Sequence, residues 1–175
     1  MKFDDFPWPA MGERKLVPTW EDGRFIVDSE PFEDLLKEIP QAAIVGADYL
    51  PNVVLRAARR VRSAPFLQFD LRNCPLAGDC LDGVTALNVL EHIDDDFTAL
   101  REIQRILKRG GLAHLEVPAD PSSFDLYDEV LMHFRRYRLR DLTTKARDAG
   151  FAILKAPIWA FPFIRSSNSS SDVIK

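Results

Sequence analysis

Cysteine is scarce in this chain of 175 residues: Cys74 and Cys80 are the only two, with a Pro and a Gly among the residues between them. Two thiols make at most one bridge and no disulfide framework, and no second pair completes a four-cysteine zinc site. An excess of basic charge is missing as well. Lys and Arg total 23 against 27 Asp and Glu, a net charge of −4, which argues against a non-specific grip on a nucleic-acid backbone. Long apolar runs are absent: the stretch 156–164 is interrupted by two prolines and falls far short of a membrane span. The opening Met1-Lys2-Phe3-Asp4-Asp5 places acids where a secretory leader carries basic and then apolar residues. The expectation is a cytoplasmic protein with neither membrane nor nucleic acid as partner. With 46% hydrophobic and 29% charged residues, the chain has the apolar material for one core and is too short for two ordinary domains.

What is present is an alternation. Residues 1–23, rich in Pro, Trp and charge, show no sustained period and read as an irregular N-terminal arm. Residues 25–27 form a short strand-like run, Pro31 opens a helix over 32–39, and 42–47 is continuously apolar, as a strand buried on both faces is. Pro51 starts a second helix with Val54, Ala58 and Val61 on one face, and strands are predicted at 66–69 and 83–87. The clearest helix covers 94–108. Asp94, Asp95 and Asp96 crowd its positive end, Lys108-Arg109 and Gly110-Gly111 close it, and Phe97, Leu100, Ile103, Ile106 and Leu107 make its inner stripe. A strand over 112–117, a helix over 139–149 capped by Gly150 and a final strand over 151–154 follow. The Ser-rich end, 166–175, reads as a flexible tail. Strands alternating with helices through short connections predict an α/β fold, a mostly parallel sheet flanked by helices, in one domain over 24–165.

In such a sheet, ligands sit beyond the carboxyl ends of the strands. Asp28, Asp48, Asp70 and Asn88 close four successive predicted strands. Acids there accept hydrogen bonds from a ribose diol or an adenine amine; taken singly, each reads as well as a loop residue or a helix cap. No Gly-x-Gly-x-x-Gly follows any strand, which argues against a nicotinamide dehydrogenase.

Val45-Gly46-Ala47-Asp48-Tyr49-Leu50-Pro51, then Phe69-Asp70-Leu71, then Leu87-Asn88-Val89-Leu90-Glu91-His92-Ile93 resemble the ordered motifs of class I S-adenosylmethionine-dependent methyltransferases. The stretch Arg101 to Gly111, ending Leu107-Lys108-Arg109-Gly110-Gly111, is similar to that family's helix and glycine turn before its fifth strand. His133-Phe134-Arg135-Arg136-Tyr137 matches the segment after that strand in many small-molecule methyltransferases. The resemblance covers roughly residues 24–160 and implies a Rossmann-like fold with S-adenosylmethionine as cofactor. By that likeness Asp28 is the acid of the first motif and Asp48 holds the ribose hydroxyls, with Tyr49 and Leu50 packing on the adenine. Asp70 receives the adenine amine with Leu71 beside it, and Asn88 and Val89 line the methionine side. The implied activity is methyl transfer to a small acceptor, an anionic one if the arginines after the fifth strand hold it.

Two features depart from the family. Its first loop is glycine-rich, so that backbone approaches the ligand closely. Here that loop reads Ser29-Glu30-Pro31-Phe32-Glu33-Asp34: it has no glycine, Pro31 lacks an amide donor, and Glu30 repels a carboxylate. Weakened or lost cofactor binding is expected from this loop. Few residues follow 159 to build the family's inserted last strand, which is expected to be missing, replaced or supplied by a partner chain, and a homodimer would cover the open edge. Both departures support an alternative function, a catalytically inactive methyltransferase-like binding or assembly module.

Ubiquinone-pathway O-methyltransferases, similar in the Leu90-Glu91-His92 segment, use its Glu and His with an earlier Glu as metal ligands. That earlier position is Asn88 here, so no metal site is expected. Glu91 and His92 either cap the following helix and orient a pocket wall, or His92 serves as a general base. His114 lies within an apolar strand and reads as a packing residue. His133 or Tyr137 is a second candidate base, with Arg135 and Arg136 as a clamp for an anionic acceptor. The competing reading pairs those arginines with Asp125, Asp128 and Glu129 on an exposed turn.

Overall fold

The computed structural model describes residues 19–21, 24–26 and 42–156. Asp28, the glycine-free loop, the helix expected over 32–39 and the segment after 156 lie outside the described residues. The chain divides into two compact units, Met1–Leu76 and Ala77–Lys175.

In the first unit, β1 (Thr19–Glu21) pairs antiparallel with β2 (Arg24–Ile26), Thr19 opposite Ile26. The arm boundary expected between residues 23 and 24 therefore falls inside a hairpin, and the strand expected at 25–27 finds an antiparallel neighbour. β3 (Gly46–Asp48) and β4 (Phe66–Gln68) run parallel, with Asp48 in register with Gln68. β3 is shorter than the apolar run 42–47 predicts. The Gly46 amide donates to the Pro65 carbonyl at 3.0 Å, and Pro65 has no amide with which to continue the ladder. Between them α1 (Pro51–Arg60) begins at a proline whose fixed φ suits a first turn and ends on Arg59 and Arg60 at the negative end of its dipole. Val54 and Ala57 are half-buried on α1 and Val61 beyond it is buried, whereas Ala58, expected inside, is exposed.

In the second unit, β5 (Leu81–Leu87) pairs in parallel with β6 (Leu107–Glu116), Leu87 opposite Glu116, with an irregularity between Leu81 and Gly83. The crossover α2 (Asp96–Ile106) starts two residues later than its acids suggest. Asp95 is the cap, accepting the Thr98 amide at 3.1 Å and the Thr98 hydroxyl at 2.8 Å. Ala99, Leu100, Ile103 and Ile106 are buried on α2, while Phe97 is half-buried. The Lys108–Gly111 stretch expected to close the helix is instead the start of β6. Gly111 is required there: a Cβ would stand 2.9 Å from the Lys108 carbonyl oxygen and 3.1 Å from that of Asp82.

A five-residue helix, α3 (Leu126–Val130), was not expected from the periodicity. Asp125 and Asp128 hold it by a reciprocal capping box. α4 (Leu139–Asp148) follows, and Gly150 at φ +104° lets the chain leave it. The strand expected at 151–154 does not form. The Phe151 amide folds back onto the Ala146 carbonyl at 3.0 Å as part of the helix end. The described strands thus form three two-stranded sheets, two of them parallel, in an α/β arrangement. Both cysteines are free thiols. Among the described residues no helix is long and apolar enough to cross a membrane.

Candidate active site

In the first unit the register of β3 and β4 brings Asp48 and Asp70 out at the carboxyl ends of adjacent parallel strands. Asp48 Oδ1 accepts the Leu50 amide at 2.8 Å, and Oδ2 has no partner among the described residues. Tyr49 and Leu50 beside it are 62% and 44% exposed, apolar faces turned to solvent where a flat ring could rest. Asp70 is differently placed. It caps the 3-10 turn Leu71–Asn73 through the Arg72 amide at 2.9 Å and receives Arg72 Nε at 3.1 Å and Nη2 at 2.7 Å. Arg72 holds its carboxyl below the usual range, and Leu71 is half-buried.

In the second unit β5 ends at Asn88, an exposed residue at φ +51° whose amide donates to the Glu116 carbonyl at 2.9 Å. The left-handed region is costly for most side chains and tolerated by Asn. Val89, half-buried, leads into the 3-10 turn Leu90–His92. Leu90 is buried, and Glu91 is fully buried with neither carboxylate oxygen hydrogen-bonded among the described residues. Burial, with the negative charges of Glu116 and Asp128 adding to it, pushes the Glu91 carboxyl up to about 7. An unpaired buried carboxyl is costly for folding, which makes Glu91 the least explained side chain of the core.

The segment His133 to Tyr137 is fastened to this turn. The Phe134 amide donates to the Glu91 carbonyl at 2.8 Å, and the Tyr137 hydroxyl lies 3.1 Å from the Leu90 carbonyl. Arg135 donates to the carbonyls of Ile93 at 2.9 Å and Asp94 at 2.7 Å. These bonds bring His133 beside His92, ring centroids 4.6 Å apart and edge to face. One ligand atom each from Glu91, His92 and His133 lies within 4.8 Å of the others. Asp128, fully buried, receives His133 Nδ1 at 2.8 Å and Arg136 Nε at 2.9 Å on each oxygen. Burial opposes its charge, but Arg136 and His133 outweigh that and hold its carboxyl down at about 2. A charged acceptor at Nδ1 puts the imidazole proton there and leaves the lone pair on Nε2.

The two arginines expected to clamp an anion are therefore already neutralised. Arg136 is spent on Asp128, and Arg135 lies 3.0 Å from Asp96 Oδ2. Tyr137 is no solvent-facing base: it is buried, its hydroxyl lies 2.8 Å from Asp96 Oδ2, and burial beside that carboxylate pushes its pKa upward. The second unit thus gathers His92 and His133 with Glu91. It turns Tyr137, Arg135 and Arg136 into the framework that holds them. Sequence reasoning overlooked Asp96 as an anchor, and although it offered Asp128 as a partner for the arginines it missed that residue's burial and its hold on His133. The Asp125-x-x-Asp128 spacing was the available signal for the second; nothing local marks the first.

Residues 29–115 match the family described as a methyltransferase domain. Over 129 residues, 65% of this chain, the sequence is 30% identical to an uncharacterised 37.1 kDa protein in transposon Tn4556 of Streptomyces fradiae, covering 37% of it. Demethylmenaquinone methyltransferase of Corynebacterium kroppenstedtii is 32% identical over 94 residues, 52% of this chain and 40% of the relative. Among solved structures, a SAM-dependent methyltransferase from Archaeoglobus fulgidus superimposes with a TM-score of 0.56 at 20% identity, covering 70% of this chain and 57% of that one. Over residues 29–115 the chain matches that methyltransferase family, and it has the Rossmann-like fold of the S-adenosylmethionine-dependent methyltransferases it is similar to; S-adenosylmethionine is the cofactor of that family. It spans 37% and 40% of the lengths of the two curated relatives.

The residues of the first unit fit that cofactor in part. Asp48 offers an open carboxylate oxygen to a diol, with apolar surface beside it, and among the described residues it makes no ion pair. Asp70 is committed to Arg72, so an adenine amine would have to share it.

Proposed function

We propose that this chain is the core of a methyltransferase that moves the methyl group of S-adenosylmethionine to a small acceptor bound beside Glu91, His92 and His133. The observation that carries the reading is the convergence of these three side chains on one spot, with a buried carboxyl that has no partner of its own. The cofactor supplies a methyl group already activated on a sulfonium. The work expected of the first unit is then to hold the ribose through Asp48 and seat the ring on Tyr49 and Leu50, and that of the second unit is to position the acceptor. The resemblance assigns Asn88 and Val89 to the methionine side and Asp28 to the first motif. The cluster lowers the cost of a proton leaving the acceptor, because it offers imidazole lone pairs and a carboxyl that titrates near neutrality.

The acceptor has an apolar body. Met132 and Phe134 flank His133 at 74% and 58% exposure, and Leu126 and Tyr127 are exposed on the same segment, whereas the nearby arginines are paired internally. The demethylmenaquinone methyltransferase relative is named for an apolar, ring-bearing acceptor of this kind. A cytoplasmic location and a homodimer belong to the same reading and rest on the sequence alone; light scattering after gel filtration tests the dimer.

The pairing of Asp70 with Arg72 favours a second reading, an inactive module that no longer binds cofactor. Isothermal titration with S-adenosylhomocysteine separates the two. Micromolar binding, followed by transfer of labelled methyl from S-adenosylmethionine to a reduced demethylmenaquinone analogue, is the expected result. No heat at millimolar ligand would sink the enzyme reading and leave the module.

A further inference from the structure

We propose that Glu91, His92 and His133 form a binding site for one divalent cation of the zinc class. Two imidazoles and one carboxylate are a donor set that suits such a cation and leaves coordination positions open. The three ligand atoms lie within 4.8 Å of one another. Around a tetrahedral cation with bonds of ~2.1 Å they would stand ~3.4 Å apart, so the site closes by about an ångström. His92 is the exposed member of the three, so the closing movement falls to its side of the site.

Three features fit this spot to a cation. Glu91 is fully buried with both oxygens unpartnered among the described residues, a condition that a bound cation would relieve. His133 is held by Asp128 through Nδ1 at 2.8 Å, which fixes its tautomer and aims Nε2 away from the carboxylate. A carboxylate behind a ligating imidazole is the usual outer support of a metal site. The third feature is rigidity: the Phe134 amide on the Glu91 carbonyl at 2.8 Å and the Tyr137 hydroxyl near the Leu90 carbonyl hold the two ligand-bearing segments in register.

The role of the cation, though not its binding, rests on the proposed methyl transfer. A hydroxyl of the acceptor taken up in an open position would give its proton to solvent more readily next to a cation, and the more electron-rich acceptor would be the better nucleophile.

The test uses the purified full chain, stripped with a chelator, desalted and titrated with Co2+ and with Zn2+. One equivalent of Co2+ is expected to bind with visible absorption of a four- or five-coordinate ion, and one equivalent of Zn2+ is expected to displace it. His133→Ala and the isosteric Glu91→Gln should each weaken affinity at least tenfold, and Asp128→Asn about 10- to 100-fold, each variant first checked for a cooperative thermal transition. His114→Gln, on β6 and outside the cluster, should leave affinity unchanged. No stoichiometric binding by the wild-type chain would overturn the proposal. So would retention of full affinity in a folded Glu91→Gln or His133→Ala protein. Metal binding without S-adenosylhomocysteine binding would sink the enzyme reading and leave the site standing.

Discussion

Tyr137 and Asp96 meet in a buried hydrogen bond of 2.8 Å across 41 residues of chain. Asp96 sits in the first turn of α2, and its carboxylate also receives Lys145 from α4, at 2.6 Å on one oxygen and 2.7 Å on the other. One carboxylate therefore ties α2, α4 and the segment carrying His133 together. Tyr137→Phe keeps the ring and removes the hydroxyl, stranding part of the acceptor capacity of Asp96 and the Leu90 carbonyl. Loss of ~1–2 kcal/mol in denaturant unfolding is expected. A variant as stable as the parent would show that Lys145 and Arg135 satisfy Asp96 by themselves.

The same carboxylate gives the fold an acid limit. Burial opposes the charge of Asp96, but Lys145, Tyr137 and Arg135 outweigh it and hold its pKa below the ordinary 3.8. A group whose folded pKa lies below its unfolded value adds stability above the unfolded value. That contribution is lost as pH falls through the folded one. Stability of the parent should fall below about pH 4, and Asp96→Asn, less stable at neutral pH, should show a flatter acid limb. Thermal melts between pH 2.5 and 7 read the difference between the two slopes.

The fold was legible wherever a local pattern carried it. Pro51, the acids at the start of α2 and its apolar stripe mark their elements in a few consecutive residues, and physics acts on them locally. β6 was misread at its start because Lys108-Arg109-Gly110-Gly111 is also a good helix terminus; pairing with the Leu81 end of β5 decides otherwise. The candidate site was half legible. Glu91 and His92 stand next to each other, and His133 attracted attention, but their meeting depends on backbone bonds between residues some forty positions apart. The arginines were legible in part: Asp128 was one of the acids offered as their partners, and Arg136 takes it. Arg135 finds Asp96 rather than an acceptor, and no spacing rule foretells that pair.

Asp128 should be the least replaceable polar residue of the second unit. It is fully buried, caps α3 through the Asp125 amide at 3.1 Å, and accepts both Arg136 and His133. Asp128→Asn leaves Arg136 short of its charge partner, and breaking a buried pair on one side costs about 3–5 kcal/mol. Arg136→Lys keeps the charge but loses the fork that grips both oxygens, so a smaller loss is expected. Paired urea titrations order the two variants; the reverse order would mean that Asp128 acts chiefly through His133.

Gly111 tests the start of β6. An alanine Cβ would stand 2.9 Å from the Lys108 carbonyl oxygen and 3.2 Å from Leu107 Cδ2, contacts that backbone and buried side chain do not relieve cheaply. Gly111→Ala should cost ~1–3 kcal/mol and lower the melting temperature, whereas Gly83→Ala, whose Cβ would be 3.6 Å from the Leu112 carbonyl oxygen, should cost much less. Equal melting temperatures for the two would place the Lys108–Gly111 turn in another conformation.

Asp48 and Arg72 bear on the cofactor from opposite directions. Asp48→Asn preserves an oxygen for the Leu50 amide while replacing the open carboxylate oxygen by a donor that no longer accepts a ribose hydroxyl. S-adenosylhomocysteine affinity should drop at least tenfold, the scale of ~1.5–3 kcal/mol for hydrogen bonds to a charged group, with the melting temperature little changed. Arg72→Ala releases Asp70 from a surface pair that itself adds little to stability, and returns its carboxylate to an adenine amine. Affinity should then rise severalfold. If Asp48→Asn binds as the parent does, the diol is held elsewhere. If Arg72→Ala leaves affinity unchanged while Asp48→Asn abolishes it, Asp70 serves only to cap its turn, and adenine recognition falls to Tyr49, Leu50 and Leu71.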